Sequence, residues 1–152
     1  MTELSEINTE ARRARMGLLA RAPEDALMAL WQKYATPPRF EWLRRPEIGG
    51  VMVRGRAGAT GAPFNLGEMT VTRCSVVLED GTVGHGYVQG RSKPKSEAAA
   101  LIDALMQTAA ADEVRAQVIA PLSERVQADH TRRAAKAAAT KVEFFTLVRG
   151  ED

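Results

Sequence analysis

The sequence predicts an α+β domain: an antiparallel sheet of about four to five strands, flanked by an N-terminal helix pair and by C-terminal helices. Three observations predict it. Apolar residues recur at spacings of three and four in both flanks, the mark of amphipathic helices. Ten of the twelve glycines fall between Gly49 and Gly90, among alternating and β-branched residues. Asp80-Gly81 divides two such β runs and reads as a tight hairpin turn. Helices before and after an antiparallel sheet make the class α+β. At 152 residues the chain fits a single domain over 1–152, with helices over about 3–35, a β region over about 39–91, further helices over about 95–141 and a last strand over about 142–148.

Taken in order, residues 3–21 form the first helix. Leu4, Ile7, Ala11, Ala14 and Leu18 make one stripe, and Arg12, Arg13, Arg15 and Arg21 lie mostly off it. Pro23 opens a second helix with Glu24 and Asp25 in its first turn, where the helix dipole favours acid. Leu27, Leu30, Trp31 and Tyr34 line its face, and Pro37-Pro38 stop it. A short strand from Phe40 to Leu43 and a second from Val51 to Arg56 come next. A loop over 57–66 then leads to a third strand, Glu68 to Leu78, and a fourth, Val83 to Arg91.

A two-residue loop at Asp80-Gly81 pairs Leu78 with Val83, Val76 with His85 and Cys74 with Tyr87 on one face. It leaves Gly84, Gly86 and Gly90 bare on the other. Bare glycines in a strand imply that something approaches the backbone closely: the following helix, a ligand or another subunit. Lys95 to Gln107 is a helix with Ala98, Leu101, Ile102, Leu105 and Met106 on its apolar face. Asp112 to Ala120 reads as a short helix ended by Pro121, and Ser123-Glu124 begin an alanine-rich helix to about Lys141. Val142 to Val148 is β-branched and aromatic, and is expected to return to the sheet as an added strand.

Composition narrows the function. The net charge of +2, from 21 basic and 19 acidic residues, is too balanced for a dedicated nucleic-acid binder. The single cysteine, Cys74, excludes an intramolecular disulfide and a multi-cysteine zinc site, and His85 and His130 are too few for a histidine-rich one. No apolar run reaches ~20 residues and the N-terminus lacks a signal-peptide core, so a cytoplasmic protein off the membrane is expected.

Chemistry-bearing positions are few. Arg91, Lys93 and Lys95 surround the N-terminus of a helix, where the dipole disfavours positive charge and free backbone N–H groups favour an anion such as a phosphate. The same residues also make an ordinary solvated turn with Ser92 as cap. Arg54, Arg56 and Arg73 add to a basic patch if their strands are neighbours, or else make ion pairs or rim an interface. AGATGAP lacks the Gly-Lys-Ser/Thr ending of a nucleotide P-loop. His85 and Cys74 read as structural residues on the apolar hairpin face. The residues alone show no nucleophile–base or paired-carboxylate constellation.

The block TRCSVVLEDGTVGHGYVQGRSKPKSEAAALIDALMQ, with GGVMVRGRAGATGAPFNLGEMTVTR before it, PEDALMALW near the N-terminus and the tail VEFFTLVRG, resembles the G subunit of the bacterial carbon–phosphorus lyase complex, the PhnG family. The resemblance spans residues 12–150. It implies a role in using phosphonates as a phosphorus source, in a complex with H, I and J subunits. With the H, I and L proteins, the G subunit supports displacement of adenine from ATP by a phosphonate, giving a ribose 1-phosphonate 5-triphosphate, and the I subunit is taken as the catalyst. The iron–sulfur, S-adenosylmethionine-dependent cleavage belongs to the J subunit, and one cysteine is too few to hold a cluster alone. No catalytic motif is carried over to this chain.

The resemblance and the residues together imply an accessory subunit of a transferase complex. It binds no cofactor by itself, its complex takes ATP as substrate, and its most direct partner is the I-type subunit. The isolated chain is expected to be inactive. Interface candidates are the N-terminal stripe of Leu4, Ile7 and Leu18 and the glycine face at Gly84 and Gly86. The alternatives are a stand-alone protein or enzyme for small phosphorylated ligands, using the Arg91–Lys95 turn, and a nucleic-acid-binding hairpin, which the near-neutral charge opposes.

Overall fold

The structure, a computed structural model, describes residues 2–34 and 37–141, with side chains from Asn8 onward. Helix α1 (Thr2–Arg21) is followed at once by α2 (Glu24–Lys33), with Pro23 as the cap between them. Proline suits that position because the first turn of a helix has no partner for its N–H. Strands β1 (Phe40–Arg56), β2 (Pro63–Leu78) and β3 (Val83–Gln89) make an antiparallel sheet in the order β1-β2-β3. Helix α3 (Lys93–Leu105) lies across it, and α4 (Ala111–Val114), a π turn (Arg115–Ile119) and α5 (Ala120–Ala139) complete the described chain. The class is the expected α+β, with three strands among the described residues rather than four to five. The strand expected over 142–148 lies outside those residues.

One reason for the lower count is that the two strands expected before residue 57 are one. Pro46 falls where the β1–β2 ladder is interrupted by register shifts between Arg44 and Glu47. On an edge strand with a bulge, a missing N–H removes no ladder bond, so the proline does not end the strand. The expected loop shrinks to a 3-10 turn, Ala57–Ala59, and β2 begins at Pro63 instead of Glu68.

The hairpin sits where Asp80-Gly81 placed it, but its register is one residue off the expected one. Gly81 N–H donates to the Leu78 carbonyl and Leu78 N–H to the Thr82 carbonyl, both at 2.9 Å, while Gly81 has φ +86°. This is a three-residue loop ending in a glycine bulge, not a two-residue turn. Asp80 holds it by accepting the Thr82 N–H at 2.9 Å, and that bond lowers the Asp80 carboxyl pKa. The extra residue flips every partnership. Val76 pairs with Gly84, Ser75 with His85, Cys74 with Gly86 and Arg73 with Tyr87. The glycines therefore share a face with Thr72, Cys74, Val76 and Leu78, all buried, whereas His85 and Tyr87 stand on the opposite, exposed face.

Helix α3 covers the glycine face. Every residue from Ala98 to Leu105 is buried, with Leu19, Ala26 and Leu27 of the helix pair and Val114, Val118 and Leu122 closing the core. Pro121 does not stop the C-terminal helix. The Ala120 N–H reaches back five residues to the Arg115 carbonyl, and this widened turn takes up the missing proline donor and its ring.

Candidate functional site

The basic turn before α3 is only partly the open cluster that the sequence suggests. Ser92 caps the helix, accepting the Lys95 N–H at 3.1 Å, and its hydroxyl donates to Glu24 Oε1 at 2.6 Å. A carboxylate of the chain itself thus reaches the end of the helix where an anion was expected. Lys95 is buried, and its ammonium donates to the Ala20 carbonyl at 3.0 Å. It satisfies the end of α1 instead of facing a ligand, and burial lowers its pKa, with Glu24 opposing. Arg91 and Lys93 are exposed beside an open groove that Glu24, Ile48, Ser92 and Pro94 also line.

Gly84 and Gly86 are taken by this chain's own helix. A β-carbon on Gly84 would collide with the Ala100 carbonyl oxygen and lie 2.7 Å from the Ala104 nitrogen. One on Gly86 would collide with the Ser96 carbonyl oxygen and lie 3.0 Å from Cys74 Sγ. The Cys74 thiol donates to that same Ser96 carbonyl at 3.1 Å, and burial raises its pKa. The glycines let a helix backbone settle on a strand backbone, so they are not an open face for another subunit. Of the N-terminal stripe, Leu18 is half-buried against the core, while the side chains of Leu4 and Ile7 lie outside the described residues.

A group missed by the sequence reading fastens α1 to this body. Asp103, fully buried on α3, accepts Arg12 Nε at 3.0 Å and Arg12 Nη2 at 2.7 Å, along with the backbone N–H of His85 at 3.0 Å. Arg15 Nη2 stands 3.8 Å from the same carboxylate. The two-pronged bond raises the Arg12 pKa, while burial lowers that of Arg15. The available signal was a lone carboxylate in the otherwise apolar run AAALIDAL: a helix apolar all round is buried, and its one acid then needs a cation. The network joins α1, β3 and α3, so α1 from Arg12 onward belongs to the fold.

The face of the sheet away from α3 is different. Since side chains alternate, it carries Tyr87, Val71, Met69, Val51, Val53 and Phe64. Leu66, the extra residue at a bulge, lies over Gly55 on the same side. The Glu47–Arg73 pair, at 3.6 Å, and the exposed Ser75–His85 hydrogen bond, 2.9 Å from Oγ to Nδ1, flank this stripe. Beyond the end of β3, from Gly50 to Thr70, β1 and β2 continue as a two-stranded ribbon. Arg54 and Arg56 lie there, on the ribbon's other face, so they do not join Arg73 in one patch. Leu66 is 66% exposed and Phe64 47%.

A family model described as "Phosphonate metabolism protein PhnG" matches residues 10–150. The chain belongs to the PhnG family. The matched span takes in α1 from Glu10, the whole sheet with its ribbon, and α3. The PhnG-family chain is also similar to a curated protein of Rhizobium meliloti (strain 1021), the alpha-D-ribose 1-methylphosphonate 5-triphosphate synthase subunit PhnG. The two are 47% identical over 144 residues, which cover 93% of this chain and 90% of the relative. Among the described residues, no helix is long and apolar enough to cross a membrane.

Proposed function

We propose that this chain is the G-type subunit of a ribose 1-methylphosphonate 5-triphosphate synthase in phosphonate catabolism, and that it contributes by assembly instead of by a catalytic group. The near full-length identity to a protein named as that subunit carries this reading. The reaction joins a phosphonate oxygen to the ribose carbon that loses adenine, so two anionic reactants must be held in one geometry. Fixing that geometry is worth several kcal/mol of barrier, and a subunit that braces the catalytic partner supplies it without touching the reacting atoms. The described side chains suit a brace. The buried polar groups here, Asp103, Lys95, Thr72 and Ser96, are spent on internal bonds.

The partners in this reading are the other core subunits, of H, I and J types, with the I-type subunit the most direct. Nucleic acid and membrane play no part, and the setting is the cytoplasm. ATP is a substrate of the complex, and this chain holds no metal or cofactor of its own. The alternative, a small-ligand protein built on the Arg91–Lys95 turn, is weakened by Lys95 turning inward and by Glu24 at the cap. Affinity purification of the tagged chain from its native cells is expected to bring down H-, I- and J-type subunits in fixed proportion. A chain recovered without them from cells grown on a phosphonate contradicts the proposal.

A further inference from the structure

The geometry points to a binding site of this chain's own. The groove between α1, the π turn and α5 takes a small oxyanion carried on a short apolar chain, with Arg15 and Arg115 holding the charge and Leu18, Met106 and Ile119 the apolar part. The inference goes beyond the subunit reading and does not depend on it.

Arg15 is a cation that the fold buries without a full set of partners. Its side chain is only 11% exposed, and among the described residues its buried Nε has no hydrogen-bond partner. The Asp103 carboxylate already accepts three N–H groups, two from Arg12 and one from the His85 backbone. Arg15 Nη2 stands 3.8 Å from it, too far for a fourth hydrogen bond. Arg115 pairs with Asp112 at 2.6 Å. Three guanidinium groups thus share two carboxylates, and one positive charge is left over. Burial lowers the Arg15 pKa, Asp103 opposes this, and Arg12 and Arg115 lower it further. A buried donor without a partner and a charge without a counterion call for the same thing, an anion.

The groove beside Arg15 measures about 340 Å³, the size of a small-molecule site, and like such sites it sets a few polar groups in an apolar wall. Leu18 of α1, Met106 at the end of α3 and Ile119 of the π turn supply the wall, and Arg115 and Ser123 add a second cation and a hydroxyl. The π turn aligns these residues. Positions four apart drift by about 40° per step around an α-helix, and the widened turn offsets that drift, so Arg115, Ile119 and Ser123 line one side. An inorganic ion would meet the charge and leave the apolar wall wet. An uncharged apolar ligand would cover the wall and leave Arg15 as it is. An oxyanion on a short alkyl chain answers both.

Isothermal titration of the full chain with propylphosphonate, butyrate and inorganic phosphate tests the site. The two organic probes carry the same alkyl length on a tetrahedral or a planar head. The expected result is binding of at least one of them, at least tenfold tighter than inorganic phosphate, since each methylene buried on the wall adds about fourfold. Arg115→Gln removes an exposed side chain, should keep the parent's thermal midpoint, and should weaken binding at least tenfold. Arg91→Gln/Lys93→Gln, in the turn before α3, should bind as the parent does. If neither organic probe binds, the inference is overturned. Inorganic phosphate binding as tightly as both organic probes overturns it too, because the charge alone then suffices. So does parent-like binding by Arg115→Gln, and a loss confined to the Arg91/Lys93 variant places the anion at that turn instead. The subunit reading is decided by subunit recovery, and none of these results bears on it.

Discussion

Glycines on the same sheet meet opposite surroundings. At Gly84 and Gly86 the backbone of α3 sits so close that no side chain fits, whereas a β-carbon at Gly49 or Gly67 would meet nothing within 4 Å. The first pair belongs to a body held by helix backbone on strand backbone and by a buried carboxylate that ties three elements together. Gly67 belongs to a ribbon whose side chains face outward. The comparison teaches that a glycine-rich β region is not one kind of surface. Here it divides into a part packed under α3 and an exposed ribbon.

The largest expected effect that would break this division is at Asp103. Asp103→Ala leaves the half-buried Arg12 and Arg15 and the His85 N–H without their carboxylate, and should cost about 3 kcal/mol in urea denaturation. A parent-like midpoint would mean that α1 is not fastened through this group. Next comes Gly86→Val, which forces the Ser96 carbonyl and Cys74 away and should cost about 2–3 kcal/mol by overpacking. The smallest change sharpens the contrast. Gly67→Val adds a β-former in open space at a position without positive φ, and should move stability by no more than about 0.5 kcal/mol. A loss at Gly67 as large as that at Gly86 would erase the difference between body and ribbon.

The sequence makes the body more legible than the ribbon. Helix starts are written in local chemistry, so Pro23 and Ser92 mark them closely. Hairpin position is local as well, but its register is not. Asp-Gly serves both a two-residue turn and a three-residue loop with a bulge, and only the ladder decides between them. That one residue puts His85 outside and the glycines inside, and it corrects the apolar face expected for His85. Pro121 looks like a stop, and Pro46 falls between two expected strands, but both are absorbed, one by a π turn and the other at an interrupted edge, because neighbouring backbone adjusts in ways a local reading does not include. Lys95 looked like a ligand cation because the sequence does not reveal that the end of α1 lies within its reach. Val51 and Val53 announce a strand, but alternation alone does not say that both stay half-exposed among the described residues.

Adenine release from ATP with methylphosphonate tests most directly the claim that the chain works through its partners. The H-, I- and L-type proteins would be assayed with this chain, without it, and against the purified chain alone. The account predicts release only in the full mixture, with none from the chain by itself and at least a tenfold loss when it is left out. Release by the chain alone, or an undiminished rate in its absence, would contradict it.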